Sequence, residues 1–321
     1  MNLLEIKNLN LSFHSDDKDY QALHNINLEL EKGQMLALVG ESGCGKTITA
    51  MSVLRLLAPN AKITSGKIIY NGKDLLSLPE KEMQYIRGRE IALVPQDPMT
   101  SLNPLYTIGS QLLEVIEVHQ NVKGKEAEKI AIDVLDLVKI PNAKERLKAY
   151  PHEFSGGMRQ RVIIAMAIAC QSKIIIADEP TTALDVTVQA QIMDLLKEIQ
   201  NNFGTSFIFI SHDFGLVYES ADKVAVMYAG HVVEYSSASE LFKNPKHPYT
   251  KALLKTLPDF NSTKLEAIEG QPPSIKDNFK GCSFEPRCNL KMDICKINYP
   301  DCYMIENSCV SCFLYDKSKM K

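Results

Sequence analysis

The sequence lacks an apolar run that is long enough to cross a membrane. The longest, Val162 to Cys170, is about half of the roughly 18–20 residues that a helix needs to span a bilayer. Residues 1–7 also lack the apolar core and the cleavage site of a signal peptide. We therefore expect a cytoplasmic protein, whose role at a membrane must come through a partner.

The sequence also lacks an excess of charge of either sign. Its 36 Lys and Arg residues nearly balance its 39 Asp and Glu residues, so the net charge is −3. This balance gives no reason to expect a nucleic-acid partner through bulk electrostatics. A hydrophobic content of 45% is ordinary for a soluble globular protein, and 321 residues suffice for two domains, or for one domain with an appendage.

Cysteine is scarce over most of the chain. Only Cys44 and Cys170 precede residue 282, and we interpret both as small apolar residues. Six more cysteines lie between residues 282 and 312. Because a cytosolic compartment disfavours disulfides, this cluster indicates a metal site.

Apolar segments that are typical of buried strands alternate with helical patterns, which predicts an α/β fold with a mostly parallel sheet. The N-terminal 35 residues alternate as paired strands around a polar turn. We predict a nucleotide-binding domain over residues 1–235, with a helical subdomain at about 97–172, and a C-terminal appendage over 236–321. The predicted strands are 35–39, 91–94, 173–177 and 206–210, and the predicted helices are 48–57, 111–120, 124–139, 156–170 and 185–202.

Residues 40–47 match the pattern G-x-x-x-x-G-K-[ST] of a phosphate-binding loop, between a predicted strand and a predicted helix. Glycines let backbone N–H groups surround phosphate oxygens, and the helix that follows points its positive end at the anion. We expect Lys46 to contact the β- and γ-phosphates of a nucleoside triphosphate and the Thr47 hydroxyl to bind Mg²⁺. The loop residues expected to contact the nucleotide are Gly40, Ser42, Gly43, Cys44, Gly45, Lys46 and Thr47.

Two carboxylates, Asp178 and Glu179, end the apolar strand that starts at Ile174. The carboxyl ends of parallel strands form the ligand edge of a sheet, so both acids are expected beside the phosphate-binding loop. Asp178 suits Mg²⁺ coordination, and Glu179 suits the attacking water as a general base or an orienting group. The alternative is an acidic pair that caps the next helix.

A second anion site is predicted at Ser155-Gly156-Gly157. Ser155 is a good N-cap, and the two glycines expose the first N–H groups of the helix that follows. One chain has a single phosphate-binding loop and therefore holds one nucleotide. We interpret this helix end as a contact to a nucleotide held by another subunit. Taken alone, the three residues could be an ordinary helix cap.

In this order, the motifs resemble those of the ATPase subunit of an ATP-binding-cassette (ABC) transporter. Residues 40–47 correspond to the Walker A loop, 174–179 to the Walker B strand and 155–159 to the signature. The resemblance implies a P-loop NTPase fold, in which a RecA-like core sheet carries an N-terminal antiparallel β subdomain and an inserted helical subdomain. It also implies ATP and Mg²⁺ as ligands and ATP hydrolysis as the activity.

Three further residues receive roles through this resemblance. Gln96 corresponds to the Q-loop glutamine, which touches Mg²⁺ or water and couples to the membrane subunit. Asp185 ends the D-loop sequence Ala183-Leu184-Asp185, and His212 corresponds to the switch histidine at the γ-phosphate. As isolated residues, Gln96 would be a polar loop residue and His212 a helix cap.

The resemblance also implies an aromatic residue near the N-terminus that stacks on adenine. Phe13 is the first candidate, because it follows the first run of apolar residues, and Tyr20 is the second. Either ring could instead be part of the core.

Three segments narrow the resemblance to the oligopeptide/dipeptide permease branch of the family: 96–104, 150–161 and 244–254. This branch also includes importers of nickel and opines. It implies a second ATPase subunit in a sandwich dimer, two membrane-spanning permease subunits, an extracellular peptide-binding protein and a peripheral location on the cytoplasmic face of the membrane. A soluble ABC ATPase that acts on DNA or ribosomes is an alternative, but the coiled-coil insertions, zinc modules or second cassette typical of that class are not found in the sequence.

The cysteine-rich tail follows a pattern of the same branch. Cys282, Cys288, Cys295 and Cys312 have the spacing C-x5-C-x6-C-x16-C, without the C-x2-C pairs that are usual for structural zinc. The resemblance implies a [4Fe–4S] cluster, for which four thiolates are the standard ligands. Zinc and free or regulatory thiols are alternatives. Cys302 and Cys309 are left over, and Cys309 is an alternative to Cys312 as the fourth ligand.

Overall fold

The computed structural model describes residues 2–182, 184–256, 268–277 and 280–316. None of the helices in these ranges combines the length and the apolar character that crossing a membrane requires. The strands are β1 (Asn2–Ser15), β2 (Lys18–Glu31), β3 (Met35–Val39), β4 (Ala61–Tyr70), β5 (Lys73–Asp74), β6 (Ile91–Val94), β7 (Ile174–Asp178), β8 (Ser206–Ile210), β9 (Lys223–Tyr228), β10 (His231–Ser237), β11 (Tyr303–Ile305) and β12 (Ser308–Val310). The α-helices are α1 (Lys46–Leu54), α2 (Glu80–Arg89), α3 (Pro98–Ser101), α4 (Ile108–Gln120), α5 (Lys125–Leu137), α6 (Ala143–Arg146), α7 (Gly156–Ala169), α8 (Val186–Phe203), α9 (Phe214–Ser220), α10 (Ala238–Lys243) and α11 (Pro248–Lys255).

The chain divides into two compact units, each built from more than one segment. The first unit comprises Met1–Glu31, Met35–Ser77 and Ser211–Lys321. The second comprises Lys32–Gln34 and Leu78–Ile210. The predicted phosphate-binding loop and the cysteine-rich tail therefore belong to the first unit, and the predicted signature and acidic strand belong to the second.

An antiparallel sheet with the strand order β2-β1-β4-β5 forms part of the first unit. Alternating apolar residues of β1 and β2 are buried, and the register pairs Leu4 with Leu30 and Leu11 with Leu23. A period of two places apolar side chains on one face, and in β1 a register shift between Ile6 and Leu9 interrupts this period. The strands join at a two-residue turn, Asp16-Asp17, where both residues have positive φ values of 52° and 57°, as a type I′ hairpin requires. The predicted N-terminal antiparallel subdomain is confirmed.

The first unit also contains the strand series β11-β12-β10-β9-β3. β3 pairs with β9 in parallel, and the pairs from β9 to β11 are antiparallel. Glu234 and Tyr235 of β10 lie opposite Val310 and Cys309 of β12, so the hairpin of the tail is hydrogen-bonded to the strand at which we had predicted the domain boundary.

The second unit contains the parallel strands β6, β7 and β8, with β7 between the other two. All residues of β7 and β8 are buried, which is typical of strands that are covered on both faces. The helices α4, α5, α7 and α8 lie where helical patterns had been predicted, within a few residues at each end. α2 had not been predicted, because Met83 is its one buried side chain and its sequence shows no apolar stripe.

Candidate functional site

The phosphate-binding loop of the first unit connects β3 to α1 with a backbone that glycine favours. Gly40, Gly43 and Gly45 have positive φ values of 146°, 77° and 107°. A Cβ on Gly40 would lie 2.1 Å from the carbonyl oxygen of Met227, so no larger residue fits there. Gly45 is the N-cap of α1 without a side-chain cap, and the first turn of this helix contains no acidic residue. The loop therefore offers N–H donors and a positive helix end to an anion.

Lys46 has its ammonium group held within the loop. Its Nζ donates hydrogen bonds of 2.8 Å to the Gly40 carbonyl oxygen and 3.0 Å to the Glu41 carbonyl oxygen, and the residue is 6% exposed. Hydrogen bonds between two charged groups are stronger than those to a neutral carbonyl. A bound phosphate can therefore replace these carbonyl partners. Thr47, the predicted Mg²⁺ ligand, is exposed in the first turn of α1.

Glu41 connects this loop to the C-terminal region of the same unit. Its backbone N–H donates to the Tyr249 hydroxyl at 3.0 Å. Its two carboxylate oxygens accept hydrogen bonds of 2.7 Å and 3.0 Å from the Arg287 guanidinium. Sequence reasoning had singled out neither Tyr249 nor Arg287, because nothing local to either residue indicates the loop more than 200 positions away as its partner.

The two candidate adenine-stacking residues, Phe13 and Tyr20, lie directly opposite each other in the β1–β2 pair. Directly opposed residues of an antiparallel pair share one face of the sheet, and both rings are half-buried. The ammonium group of Lys276 lies 5.7 Å from the centre of the Tyr20 ring. The structure therefore places both candidates side by side and does not show which of the two stacks on adenine.

His212, the predicted switch histidine, lies exposed between β8 and α9. The N-cap of α9 is the next residue, Asp213, whose side chain accepts from the backbone N–H groups of Gly215 and Leu216. The alternative in which His212 caps this helix is therefore wrong.

In the second unit, Gln96 and Glu179 are in direct contact. Asp178 ends β7 and is 3% exposed, whereas Glu179 has a positive φ of 45° that turns it out of the strand. Oε2 of Glu179 accepts hydrogen bonds of 2.9 Å from Nε2 of Gln96 and 2.9 Å from Oγ1 of Thr182. The predicted water-orienting carboxylate and the predicted Q-loop amide thus form one polar cluster.

The predicted signature also lies in the second unit, at the start of α7. The Ser155 side chain accepts from the backbone N–H of Met158 at 3.3 Å, as expected of an N-cap. A Cβ on Gly157 would lie 2.7 Å from Val188 Cγ1, whereas a Cβ on Gly156 would meet only Leu184, at 3.8 Å. Asp185 caps α8 by accepting from the N–H of Val188 at 3.0 Å. Val188 therefore lies against Gly157 of the signature and donates its N–H to Asp185 of the D-loop. Ala183 of the D-loop lies outside the described residues.

Four cysteines of the tail line one cavity with Pro248, Phe284 and other residues of the first unit: Cys282, Cys288, Cys295 and Cys312. Burial raises the pKa of the Cys282 thiol to about 12 and that of the Cys312 thiol to about 11, and the neighbouring cysteines add smaller contributions. In the described ranges, no three His, Cys, Asp or Glu side chains are grouped so that they could hold one metal ion.

Cys302 and Cys309 form a disulfide with a Cα–Cα distance of 5.5 Å, which differs from the expectation for a cytosolic chain. The cause is local, because the tight β11–β12 hairpin holds the two residues within the usual range for a disulfide. Since Cys309 is paired with Cys302, Cys312 is left as the fourth thiol of the cavity.

Two regions of the chain match known protein families. Residues 23–182 match the family described as "ABC transporter", and residues 233–295 match "Oligopeptide/dipeptide transporter, C-terminal region". The dipeptide transport ATP-binding protein DppD of Bacillus subtilis is 48% identical over 98% of this chain and 95% of its own length. The oligopeptide transport ATP-binding protein OppD of Salmonella typhimurium is 49% identical over 91% of this chain and 88% of its own. This chain belongs to their family, the ABC transporter ATPases.

Solved structures of other ABC cassettes agree with this membership. The ATP-binding cassette MJ0796, in a dimeric post-hydrolysis state bound to ADP and phosphate, is 27% identical, with a TM-score of 0.66 over 73% of this chain and 98% of that structure. The cbiO1 protein of Clostridium perfringens is 26% identical, with a TM-score of 0.65 over 76% of this chain and 91% of its own. The predicted P-loop NTPase fold is therefore confirmed, and the chain is an ABC-type ATPase. The roles of single residues stay predictions.

Proposed function

We propose that this ABC ATPase hydrolyses ATP to drive the import of oligopeptides or dipeptides. The observation that carries the proposal is the similarity to DppD and OppD, which extends beyond the cassette through the C-terminal region. The match to the cassette family ends at residue 182, and the match to the oligopeptide/dipeptide C-terminal region covers residues 233–295, so a second region of the chain favours the peptide branch over a cassette of another kind.

Nucleotide binding is assigned to the loop between β3 and α1. Lys46 exchanges the carbonyl oxygens that it contacts for β- and γ-phosphate oxygens, and the N–H groups of residues 42–45 surround the phosphates. Thr47 and Asp178 are the proposed Mg²⁺ ligands, with Gln96 as a further candidate. Phe13 is the proposed aromatic contact to adenine, and Tyr20, which lies opposite it on the same face of the sheet, is the second candidate.

Hydrolysis is assigned to Glu179, which orients the attacking water or accepts its proton. Support comes from the position of Glu179 next to Gln96, whose amide fixes one carboxylate oxygen. His212 is proposed to contact the γ-phosphate. Catalysis at such a site is mostly positioning and charge stabilisation, because phosphoryl transfer requires little covalent chemistry from the protein.

The signature is proposed to bind a nucleotide held by a second ATPase subunit, in a sandwich dimer with two sites. Ser155 and Gly156 are exposed at the start of α7, and the first turn of this helix contains no acidic residue. This end of the helix therefore favours an anion. The isolated subunit is expected to have little activity, because each site requires residues from both subunits.

Coupling to two membrane-spanning permease subunits is assigned to the segment that follows Gln96. Its apolar side chains Met99, Leu105 and Tyr106 are exposed, Leu105 by 81%. Exposed apolar side chains that lie close together in the sequence favour a protein contact. We place the ATPase at the cytoplasmic face of the membrane, where an extracellular peptide-binding protein delivers substrate to the same complex.

A [4Fe–4S] cluster is proposed in the tail, held by Cys282, Cys288, Cys295 and Cys312. The fit rests on these four thiols, which line a common cavity. A cluster takes one thiolate at each of four irons, whereas zinc requires its ligands around one atom. When bound, the cluster cross-links the segments of the tail and adds a centre that is sensitive to oxidation. The protein contributes the ligands and the apolar wall at Pro248 and Phe284.

The test is ATP hydrolysis by the transporter reconstituted in proteoliposomes with its permease subunits, its second ATPase subunit and its binding protein. We expect peptide-loaded binding protein to increase the hydrolysis rate and to drive peptide into the vesicle lumen. Stimulation by nickel complexes without stimulation by peptides would instead assign the chain to the nickel importers. Hydrolysis that no binding protein stimulates would contradict an importer.

A further inference from the structure

Arg287 of the cysteine-rich tail forms a bidentate ion pair with Glu41 of the phosphate-binding loop. Its two terminal nitrogens lie 2.7 Å and 3.0 Å from the two carboxylate oxygens. The Arg287 side chain is 4% exposed and that of Glu41 is 26% exposed. Such paired, charge-assisted hydrogen bonds are among the strongest in proteins, and burial protects them from the screening that weakens surface ion pairs.

Further contacts fix the guanidinium in place. Arg287 also donates to the Tyr228 hydroxyl at 3.2 Å and to the carbonyl oxygens of Glu269 and Ile268 at 3.0 Å and 3.3 Å. It lies at the end of the short 3₁₀ turn Glu285–Arg287, between two of the cavity cysteines. Its position is therefore determined by several segments of the first unit, not by the tail alone.

Glu41 is held at three points that join the tail to the phosphate-binding lysine. Its N–H donates to the Tyr249 hydroxyl, its carbonyl oxygen accepts from Lys46 Nζ, and its carboxylate accepts from Arg287. All of these residues belong to the first unit. A displacement of Glu41 would therefore move a partner of Lys46.

The charge of Glu41 requires compensation. A carboxylate on the residue next to Gly40 is a negative charge within the loop that must receive a triphosphate, and like charges in a partly desolvated site repel each other. We propose that Arg287 is a positioning residue for ATP binding, which acts through Glu41: it neutralises the Glu41 carboxylate so that the phosphates can approach the loop and accept hydrogen bonds from Lys46. This inference does not depend on the proposed metal cluster.

The alternative is that the ion pair only attaches the tail to the rest of the unit. The two possibilities differ in what happens when both charges are removed. If the pair is only an attachment, removing Glu41 as well cannot restore what Arg287→Met loses. If the unpaired carboxylate is the cause, Glu41→Gln in the Arg287→Met background relieves the repulsion.

The experiment measures KM for MgATP and kcat in the assembled transporter, and the Kd for trinitrophenyl-ATP. We expect Arg287→Met to raise KM and Kd about tenfold with little change in kcat, since a lost charge-assisted contact corresponds to roughly this factor. Arg287→Lys keeps the positive charge but loses the paired hydrogen bonds of the guanidinium. Its KM and Kd should therefore lie between those of the wild type and those of Arg287→Met. The double variant Arg287→Met/Glu41→Gln should return to within about threefold of the wild type. The control is Lys291→Met, which removes a cation from the 3.3 Å ion pair with Glu285 in the same tail.

An unchanged KM in folded Arg287→Met protein would overturn the proposal, as would a double variant no better than the single one. If Arg287→Met does not fold, Glu41→Gln alone still decides. This variant leaves the Arg287 charge beside the loop without its partner, so KM should fall. A rise in KM for Glu41→Gln would show that the carboxylate contributes to ATP binding in some other way and would also overturn the proposal.

Discussion

Nε2 of Gln96 donates a hydrogen bond of 2.9 Å to Oε2 of Glu179, so the proposed hydrolytic carboxylate is in contact with the start of the segment that we assign to membrane coupling. Oγ1 of Thr182 donates to the same oxygen. A carboxylate oxygen that accepts hydrogen bonds from two donors is fixed in orientation. A shift of the Gln96 segment would therefore change the position of the Glu179 carboxylate.

The first prediction concerns this carboxylate. Glu179→Gln should lower kcat for ATP hydrolysis by about 10²–10⁴, the range for loss of general acid–base catalysis. ATP binding should remain, because Gln keeps the shape of the side chain and Lys46 is untouched. The measurement is single-turnover hydrolysis together with equilibrium nucleotide binding, in the assembled transporter.

The matched control for Glu179→Gln is Glu198→Gln, on the exposed part of α8. Glu198 forms a surface ion pair with Lys139 at 3.0 Å, so its loss should leave hydrolysis unchanged. A Glu179→Gln protein that still hydrolyses ATP at the wild-type rate would remove Glu179 from the mechanism.

The second prediction separates the two glycines of the signature. Gly157→Ala introduces a methyl group 2.7 Å from Val188 Cγ1, and we expect it to lower the free energy of unfolding by about 1–3 kcal/mol, as overpacking does. Gly156→Ala meets Leu184 at an ordinary 3.8 Å and should cost less. Urea denaturation of the purified chain compares the two variants. Adding Val188→Ala to Gly157→Ala should recover part of the loss; equal stability of both glycine variants would contradict this packing.

Sequence reasoning succeeded for features whose residues are neighbours in the chain. The phosphate-binding loop, β7 and α7 were all predicted, because a loop motif or an unbroken apolar run carries the signal in a few residues. The ion pair of Arg287 with Glu41 could not be predicted in this way, since tertiary packing brings the two together across 246 positions. The Cys302–Cys309 disulfide depends on a tight hairpin that the sequence had not indicated.

The third prediction assigns the cysteines. Ser substitution of Cys312 should lower the iron and sulfide content of anaerobically purified protein from about four each per chain, because a standard site needs four thiolates. Ser substitution of Cys309 should not, because Cys309 is bonded to Cys302. The measurements are metal and sulfide analysis and absorbance near 400 nm. Wild-type protein with one zinc, or iron loss in the Cys309 variant, would show that the ligand assignment is wrong.

The fourth prediction concerns the pH dependence of stability. The His231 ring is stacked between His24, at 4.2 Å between ring centres, and Tyr299, at 3.7 Å. Burial, with a smaller contribution from His24, lowers the pKa of His231 well below its ordinary value of 6.5. The unfolded chain therefore binds a proton below pH 6.5 that the folded protein excludes. It follows that stability is retained above pH 6.5 and falls as the pH drops below it, by up to about 1.4 kcal/mol per pH unit for one such group.

His231→Phe keeps a flat ring in the stack and removes the titration. Between pH 6.5 and 5, the free energy of unfolding of this variant should therefore fall less steeply than that of the wild type, by a slope of about one proton. His14→Gln is the control, because His14 is an exposed histidine at the β1–β2 turn. The measurement is urea denaturation at a series of pH values. Parallel slopes for His231→Phe and the wild type would mean that the folded protein accepts the proton at His231 and would contradict this prediction.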